Sequence, residues 1–416
     1  MSNQIAVINA GSSSIKFAIF NDDPAQSLIF RGQVEKIGVA PTLLVEGSGG
    51  ETLVENEWGA NELDHKSATK VILQTSIALL GGEAVEGIGH RVVHGGAQFT
   101  APTLVNDDVI ASLRLLCPLA PLHQPHNIAP VEAIMAEAPL IPQVVCFDTA
   151  FHQTQPPVAQ AFALPRELTD LGIRKYGFHG LSYEFVSDRL RAVAADQAQK
   201  RIVIAHLGNG ASLCAIHRGR SVATTMGFTA VDGLMMGTRC GSIDPGVLIY
   251  LMDEKKLDAR ALEDLIYKKS GLLGVSGITS DMRALRESND PRAREAISLF
   301  VYRIVREIGS LAAALGGLDG LVFTGGIGQR DAKTRREVVA GCAWLGAAID
   351  DQANSRTAER IDSAASKIPI WVLPTDEERV IARHTAAILA RQGASESGSI
   401  PMEMPSPGDR VQSAGA

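Results

Sequence analysis

The sequence predicts an α/β fold, and three observations predict it. An apolar strand, a Gly-Ser turn and a second apolar strand occupy residues 4–20. The same strand-then-turn returns over residues 201–212, as its counterpart in the second half of the chain. Farther on, a long helix feeds a strand over residues 321–324. That strand breaks at Gly325-Gly326-Ile327-Gly328, the strand–glycine–helix order of α/β nucleotide sites.

Each element has a local cause. The first hairpin carries hydroxyls at its tip, Ser12, Ser13 and Ser14, between Gly11 and Lys16. The long helix is signalled by Asp290 as N-cap and Pro291 in its first turn. Ile297, Phe300, Val301, Ile304, Ile308, Leu311 and Leu315 form its apolar stripe, and Gly316-Gly317 stops it. Near the end, Thr375-Asp376-Glu377-Glu378 fits a capping box with Thr375 as N-cap, which occupies Glu378 and leaves Glu377 free. It opens a helix through Val380, Ile381, Ile388 and Leu389. After Gln392 the chain turns to Gly, Ser, Pro and Ala, so residues 393–416 are expected to be a disordered tail.

Composition narrows the function. A chain of 416 residues, 45% hydrophobic, has the apolar material for two or three domains at ~150 residues each. It holds 40 glycines, where average usage would give about 29. Lys plus Arg number 39 and Asp plus Glu 46, for a net charge of −7. That balance argues against nucleic acid and leaves phosphate chemistry to a few local cations. Cys117, Cys146, Cys214, Cys240 and Cys342 form no CxxC pair and read as reduced thiols. With no basic leader and no apolar run of about 18 residues, a cytoplasmic protein with no membrane partner is expected.

The chain contains no GxxxxGK[ST], no HRD with DFG and no GxGxxG, so P-loop, protein-kinase and dinucleotide scaffolds lose support. Three glycine turns offer another cradle: Gly11 with its serines and Lys16, Gly208-Asn209-Gly210, and Gly325 to Gly328. Backbone N–H groups at such turns can hold phosphate oxygens. Each taken alone reads first as an ordinary turn; three after apolar strands point to a split nucleotide cleft. Arg91, His94, His123, Asp148, His179 and Arg239 each stand beside small or turn residues after an apolar stretch, where α/β active sites are built. For Asp148 the plainer alternative is an Asx-turn, for the arginines a structural ion pair, for the histidines a satisfied core position. A metal site at His90, His94, His123 and His126 is disfavoured, because HxxxH shares a face only on a helix and His90–His94 reads as a strand entering a turn.

These motifs closely resemble those of the acetate kinase family, short-chain carboxylate kinases of the sugar-kinase/actin/Hsp70 superfamily. VINAGSSSIKF, GHRVVHGG, APLHQP, FDTAFHQT, YGFHG, HLGNGAS, MGFTAVDGLMMGTRCGSIDPG, KKSGLLGVSGITSDMR, FTGGIG and TDEE run in the family's order over residues 4 to about 391. The resemblance implies two ribonuclease-H-like (actin-like ATPase) domains with a central interdomain cleft. The first would take residues 1–148 plus about 378–392, and the second, nucleotide-binding one 149–377. It implies a homodimer, with ATP and acetate giving ADP and acetyl phosphate, and Mg2+ (or Mn2+) as cofactor. By motif, Asn9 and Glu377 are the metal positions, and Ser12, Ser14 and Lys16 face the phosphates. Arg91 binds the carboxylate, Asp148 is the acid/base, and His179 and Arg239 stabilise the transition state. The acyl pocket falls to Val93, Leu122, His123, Phe178 and Ala230. The nucleotide falls to His206, Leu207, Gly208, Asn209, Gly210, Asp281, Met282, Arg283, Gly326, Ile327, Gly328, Gln329 and Arg330.

A base role for Asp148 conflicts with simple chemistry. A carboxylic substrate is already ionised at neutral pH, with carboxyl values near ~4, so Asp148 is expected instead to orient Arg91 or the metal's water shell. The chain also departs from the family pattern. GIGEN becomes Gly326-Ile-Gly-Gln329-Arg330, YGFHGTSH becomes YGFHG-Leu181-Ser182-Tyr183, and the proline of FTPLEG becomes Ala230, which would relax selectivity toward propionate. A propionate or broader short-chain kinase is therefore the nearest alternative. An actin- or Hsp70-like ATPase shares the glycine turns but has no use for Arg91, Asp148 and Arg239 around an acyl pocket. A silent ATP-binding regulator is opposed by the presence of every catalytic residue.

Overall fold

The computed structural model describes residues 4–397. Two sheets organise it. The first contains β1 (Gln4–Ala10), β2 (Ile15–Asn21), β3 (Leu28–Glu35), β4 (Thr42–Gly47), β5 (Thr52–Glu57), β6 (Val85–Val92), β7 (Thr103–Leu104) and β8 (Gln143–Phe147), in the order β5-β4-β3-β2-β1-β6-β8-β7. The second contains β9 (Arg201–Leu207), β10 (Ala211–His217), β11 (Arg220–Thr224), β12 (Gly320–Thr324) and β13 (Ile370–Val372), in the order β11-β10-β9-β12-β13.

The second sheet repeats the middle of the first. In both, an antiparallel three-strand meander lends its first strand to a parallel pairing with two later strands. The expected α/β class with two related halves is therefore observed. The sequence logic is visible strand by strand: β8 and β12 are buried at every residue, as strands covered on both faces must be. β5, with little burial, extends the edge.

The Pro291–Leu315 helix has the expected caps, Asp290 accepting from the Arg292 N–H and Gly316 closing the end in the left-handed region. It buries Ile297, Phe300, Ile304, Ile308 and Leu311 against the second sheet. The last helix, Glu377–Ser397, crosses back and packs on β1, β6 and β8 of the first sheet. Its start differs from the expected capping box. Asp376, not Thr375, is the N-cap, accepting from the Arg379 N–H at 3.1 Å, while the Thr375 hydroxyl is buried without a hydrogen-bond partner among the described residues. Two acceptors compete for the end of one helix, and the carboxylate suits the positive end of the dipole better. The helix also continues past Gln392 to Ser397; the remainder of the expected tail lies outside the described residues. Arg383 and His384 on this helix bind Glu184 of the Gly180–Val193 helix at 2.7 and 2.8 Å, tying the two halves together.

Several histidines serve the core. His90 (1% exposed) bonds Gln143 at 2.7 Å, and His152 (2%) lies between Ser221 and the Phe178 carbonyl at 2.9 Å each. Burial depresses His90, His94, His152 and His206 to about 4. In the unfolded chain the same groups take up protons near pH ~6.5. The unfolded state thus binds more protons below that value, and stability drains as pH falls from about 6.5 toward 4. Urea midpoints at pH 7.5 and 5 check this: a loss on the order of several kcal/mol is expected at pH 5, at about 1.4 kcal/mol per tenfold difference in proton affinity.

Candidate active site

The chemistry-bearing residues collect where parallel strands end. Asn9 lies near the end of β1, Arg91 near the end of β6, Asp148 directly after β8, and His206 near the end of β9. Because β1, β6 and β8 run parallel, their carboxyl ends open on one side and converge there.

Arg91 and Asp148 form a fork. Nε and Nη2 of Arg91 donate to Oδ1 and Oδ2 of Asp148 at 3.0 and 2.6 Å, and Nη1 donates to Asn9 Oδ1 at 3.2 Å. Glu377 Oε2 stands 3.9 Å from Nε. These bonds use three of the five guanidinium donors and leave one on each terminal nitrogen. Asp148 is 1% exposed, so burial pushes its carboxyl up while Arg91 pulls against that. Burial opposes the charge on Arg91, but Asp148 and Glu377 outweigh it and hold the guanidinium above its ordinary value.

The other half of the site is brought against this fork by one close approach. The Gly180 N–H donates to the Asp148 carbonyl at 2.9 Å, and a Cβ on Gly180 would lie 2.2 Å from that oxygen, so only glycine fits. His179, immediately before it, is held in the left-handed region at φ 58°, a conformation that costs a non-glycine residue ~1–3 kcal/mol and persists at functional sites. Its Nδ1 meets Ser212 Oγ at 2.9 Å, and its ring stacks on His206 at 4.4 Å. Burial, then His206, Arg91 and Arg239, depress its pKa well below the usual value, so the ring is neutral.

Arg239 comes from the long loop after β11. Its Nη1 donates to the Ala230 carbonyl at 3.0 Å and its Nη2 meets His123 Nε2 at 3.4 Å. Burial, then Arg239 and Arg91, press His123 to about 3, so it too is neutral and serves as an acceptor. Gly210 sits at the junction: a Cβ there would be 3.4 Å from His179 Nε2 and 3.7 Å from Arg239 Nη1.

Two pockets flank these cations. A small one is lined by Val93, Leu122, His123, Phe178 and Ala230, with Leu119, Ala120, Pro121, Thr229 and Tyr267 completing it; its free volume is about 10 Å³. A large one, about 710 Å³, is lined by Gly208, Asn209, Asp281, Met282, Arg283, Gly326, Ile327 and Arg330. Ser280, Arg286, Glu287, Asp331, Ala332 and Lys333 complete it. Of the expected nucleotide residues, Leu207 is buried in the core and Gly328 behind the pocket wall, and His206 and Gly210 lie on the side of His179. Gln329 contributes its carbonyl to a bond with Arg335. Ser12 is exposed and Ser14 half-buried in the turn that Gly11 N–H closes on the Ser14 carbonyl at 2.7 Å; Lys16 is exposed on β2 opposite Asn9.

Other residues that sequence reasoning missed hold this frame. Arg335 is 0% exposed; it donates to the carbonyls of Gly328 and Gln329 at 2.9 and 2.7 Å and to Asn354 Oδ1 at 2.7 Å, fixing the turn that borders the large pocket. Asn127 joins the Ala10 carbonyl to the Val93 N–H at 2.6 and 2.9 Å. Neither belongs to a motif that reads as chemistry.

The two glycines that open the Gly325–Arg330 turn separate binding from folding. Gly325 has φ +77° and would press a Cβ to 2.7 Å from the Leu207 carbonyl, whereas no atom of the described residues lies within 4 Å of a Cβ on Gly326. Gly326→Ala is therefore expected to leave the thermal midpoint unchanged while raising KM for ATP several-fold, and Gly325→Ala to lower the midpoint; calorimetry and nucleotide titration together decide.

Comparison with known proteins fits this geometry. The profile of the family described as "Acetokinase family" matches residues 4–383. A protein from Rhodopseudomonas palustris named acetate kinase is 53% identical over 92% of this chain and 98% of its own length. Among solved structures, Porphyromonas gingivalis acetate kinase matches with TM-score 0.84 at 39% identity, over 93% of this chain and 100% of the other. A propionate kinase from Francisella tularensis matches with TM-score 0.86 at 36% identity, over 92% and 99%.

Proposed function

The chain belongs to the acetokinase family, and from that premise we propose how its residues transfer a phosphoryl group from ATP to acetate, giving ADP and acetyl phosphate. The observation that carries the assignment is the Arg91 fork, with two guanidinium N–H groups unused, in a site that also holds a small apolar pocket and a nucleotide-sized one. Arg91 takes the acetate carboxylate with two parallel N–H bonds. The methyl group enters the pocket of Val93, Leu122, His123, Phe178 and Ala230. ATP occupies the large pocket, with its phosphates running past Gly208, Asn209 and Gly210 toward the hydroxyls of Ser12 and Ser14 and toward Lys16.

A carboxylate oxygen attacks the terminal phosphorus in line as the bond to ADP lengthens. Charge then sits on the three equatorial oxygens, and the nearest donors are Arg239 and His179. No proton has to move, because acetate arrives ionised. Asp148 then aims Arg91: both of its oxygens are already engaged by that fork. Glu377 and Asn9 suit Mg2+ or Mn2+, since they supply oxygen donors beside the phosphate side and Glu377 accepts no hydrogen bond among the described residues. When bound, the ion would neutralise phosphate charge. Residues 1–148 with the last helix would form one domain and 149–377 the other.

About 10 Å³ holds no more than about one water-sized group, which favours acetate despite Ala230. Trapping the acyl phosphate with hydroxylamine tests the assignment. Acetate is expected to exceed propionate by about tenfold or more, at ~1–3 kcal/mol per methylene, and butyrate to be poorer still. Equal rates would make this a broader kinase, and ATP hydrolysis without acid would make it an ATPase.

The homodimer is supported by the Pro245–Lys255 helix. It has no buried residue and exposes Val247, Ile249, Tyr250 and Met252 at 41, 59, 54 and 48%, an apolar surface of the kind that marks an interface. Sedimentation equilibrium reads it directly. Five free cysteines support a reducing, cytoplasmic setting.

A further inference from the structure

Tyr183 lies in the first turn of the Gly180–Val193 helix and is 0% exposed, with its ring stacked on Phe151 at 6.3 Å and edge-on to His152 at 5.6 Å. Its hydroxyl ends 2.5 Å from Ser212 Oγ, and the same Ser212 oxygen is 2.9 Å from His179 Nδ1. Among the described residues, neither Tyr183 Oη nor Ser212 Oγ has any other side-chain hydrogen bond. The family pattern YGFHGTSH has a histidine at the position of Tyr183.

Proton accounting gives this row a direction. Burial holds the Tyr183 phenol well above its ordinary pKa, so it keeps its proton across the working range. A buried O–H without an acceptor is costly, and Ser212 Oγ is the acceptor within reach. Tyr183 therefore donates to Ser212. A serine hydroxyl has one proton of its own, and His179 Nδ1 is the partner left to receive it. Nδ1 thus accepts, and the single proton of the neutral imidazole must sit on Nε2. That nitrogen lies on the side of Gly210 and Arg239. Stacking on His206 at 4.4 Å and 20° keeps the ring plane from turning away.

We propose that Tyr183 is a positioning residue which, through Ser212, fixes His179 as the Nε2–H tautomer and so makes it a hydrogen-bond donor to the transferring phosphoryl group. Run in the opposite sense, the row would leave the Tyr183 proton unpaired and turn a lone pair of His179 toward the phosphoryl oxygens, which repels them. The inference rests on the reading that His179 meets the phosphoryl group, and its test is chosen to separate the two.

Tyr183→Phe removes the hydroxyl and keeps the ring. Nitrogen-15 NMR of histidine-labelled protein, with His179 assigned by His179→Ala, reads the tautomer of the resting enzyme without any turnover. The expected result is Nε2–H in the wild type, a mixture in Tyr183→Phe, and a kcat about three- to tenfold lower in that variant, the worth of about one hydrogen bond, with both KM values unchanged. Ser212→Ala should act alike, and the double variant should be no worse than Ser212→Ala alone. Nε2–H persisting in Tyr183→Phe, Nδ1–H in the wild type, or additive losses in the double variant would overturn the proposal. If His179→Ala retained full kcat, the phosphoryl contact would be wrong, while the spectrum would still decide whether Tyr183 sets the tautomer.

Discussion

Arg91→Lys is expected to lower kcat/KM for acetate by about 10²–10³, the factor lost when one preorganised donor to a reacting anion is removed. The lysine keeps the charge and loses the plane. In the native site, Nε and Nη2 grip Asp148 while Nη1 grips Asn9. The substrate is left one N–H group on each terminal nitrogen, and an ammonium cannot hold Asp148 and offer two such donors together. Nucleotide affinity should change little, because Arg91 does not line the large pocket proposed for ATP. Stability should also hold, since a lysine can still neutralise Asp148. Initial rates with acetate and ATP varied separately decide it; a loss confined to KM for ATP would mean that Arg91 serves the phosphates.

Asp148→Asn is the second large effect, with kcat expected to fall about 10². The amide offers one oxygen where the carboxylate gave two. Its NH2 group would face a guanidinium N–H, donor against donor, so the fork loses its aim. The substitution also leaves Glu377, at 3.9 Å, as the carboxylate in ion-pair reach of Arg91 among the described residues, with Glu378 acting from farther off. Arg91 then swings toward that carboxylate, and KM for acetate should rise along with the fall in kcat. A removed catalytic base would instead leave KM for acetate where it was.

The fold was legible where apolar strands meet glycine. β1, β2, β9 and β12 and the Pro291–Leu315 helix stand where their patterns placed them, because each is a buried run with a cap or turn at its end, whereas β10 is a further strand after the second turn that the pattern did not include. β3, β4 and β5 lie toward one side of the first sheet, ending at the edge strand β5, and are only partly buried, so they present no continuous buried apolar run. Within the site, the residues at strand ends were visible, while their roles came from the family's motifs. Hidden were those that act through partners far along the chain. Tyr183 and Ser212 sit on a helix and a strand, and Arg335 reads as one more charge on a polar helix, although it is the largest fully buried side chain. No local periodicity encodes a contact of that kind.

The central claim is that this site catalyses by aiming cations at a substrate already ionised, with Asp148 as an organiser of Arg91. A solvent deuterium isotope effect on kcat tests it most directly, measured for the wild type and for Asp148→Asn with saturating ATP, acetate and magnesium. An effect near unity in both proteins is the predicted result. A normal effect in the wild type that vanishes in Asp148→Asn would place a proton on Asp148 in the transition state and contradict the account.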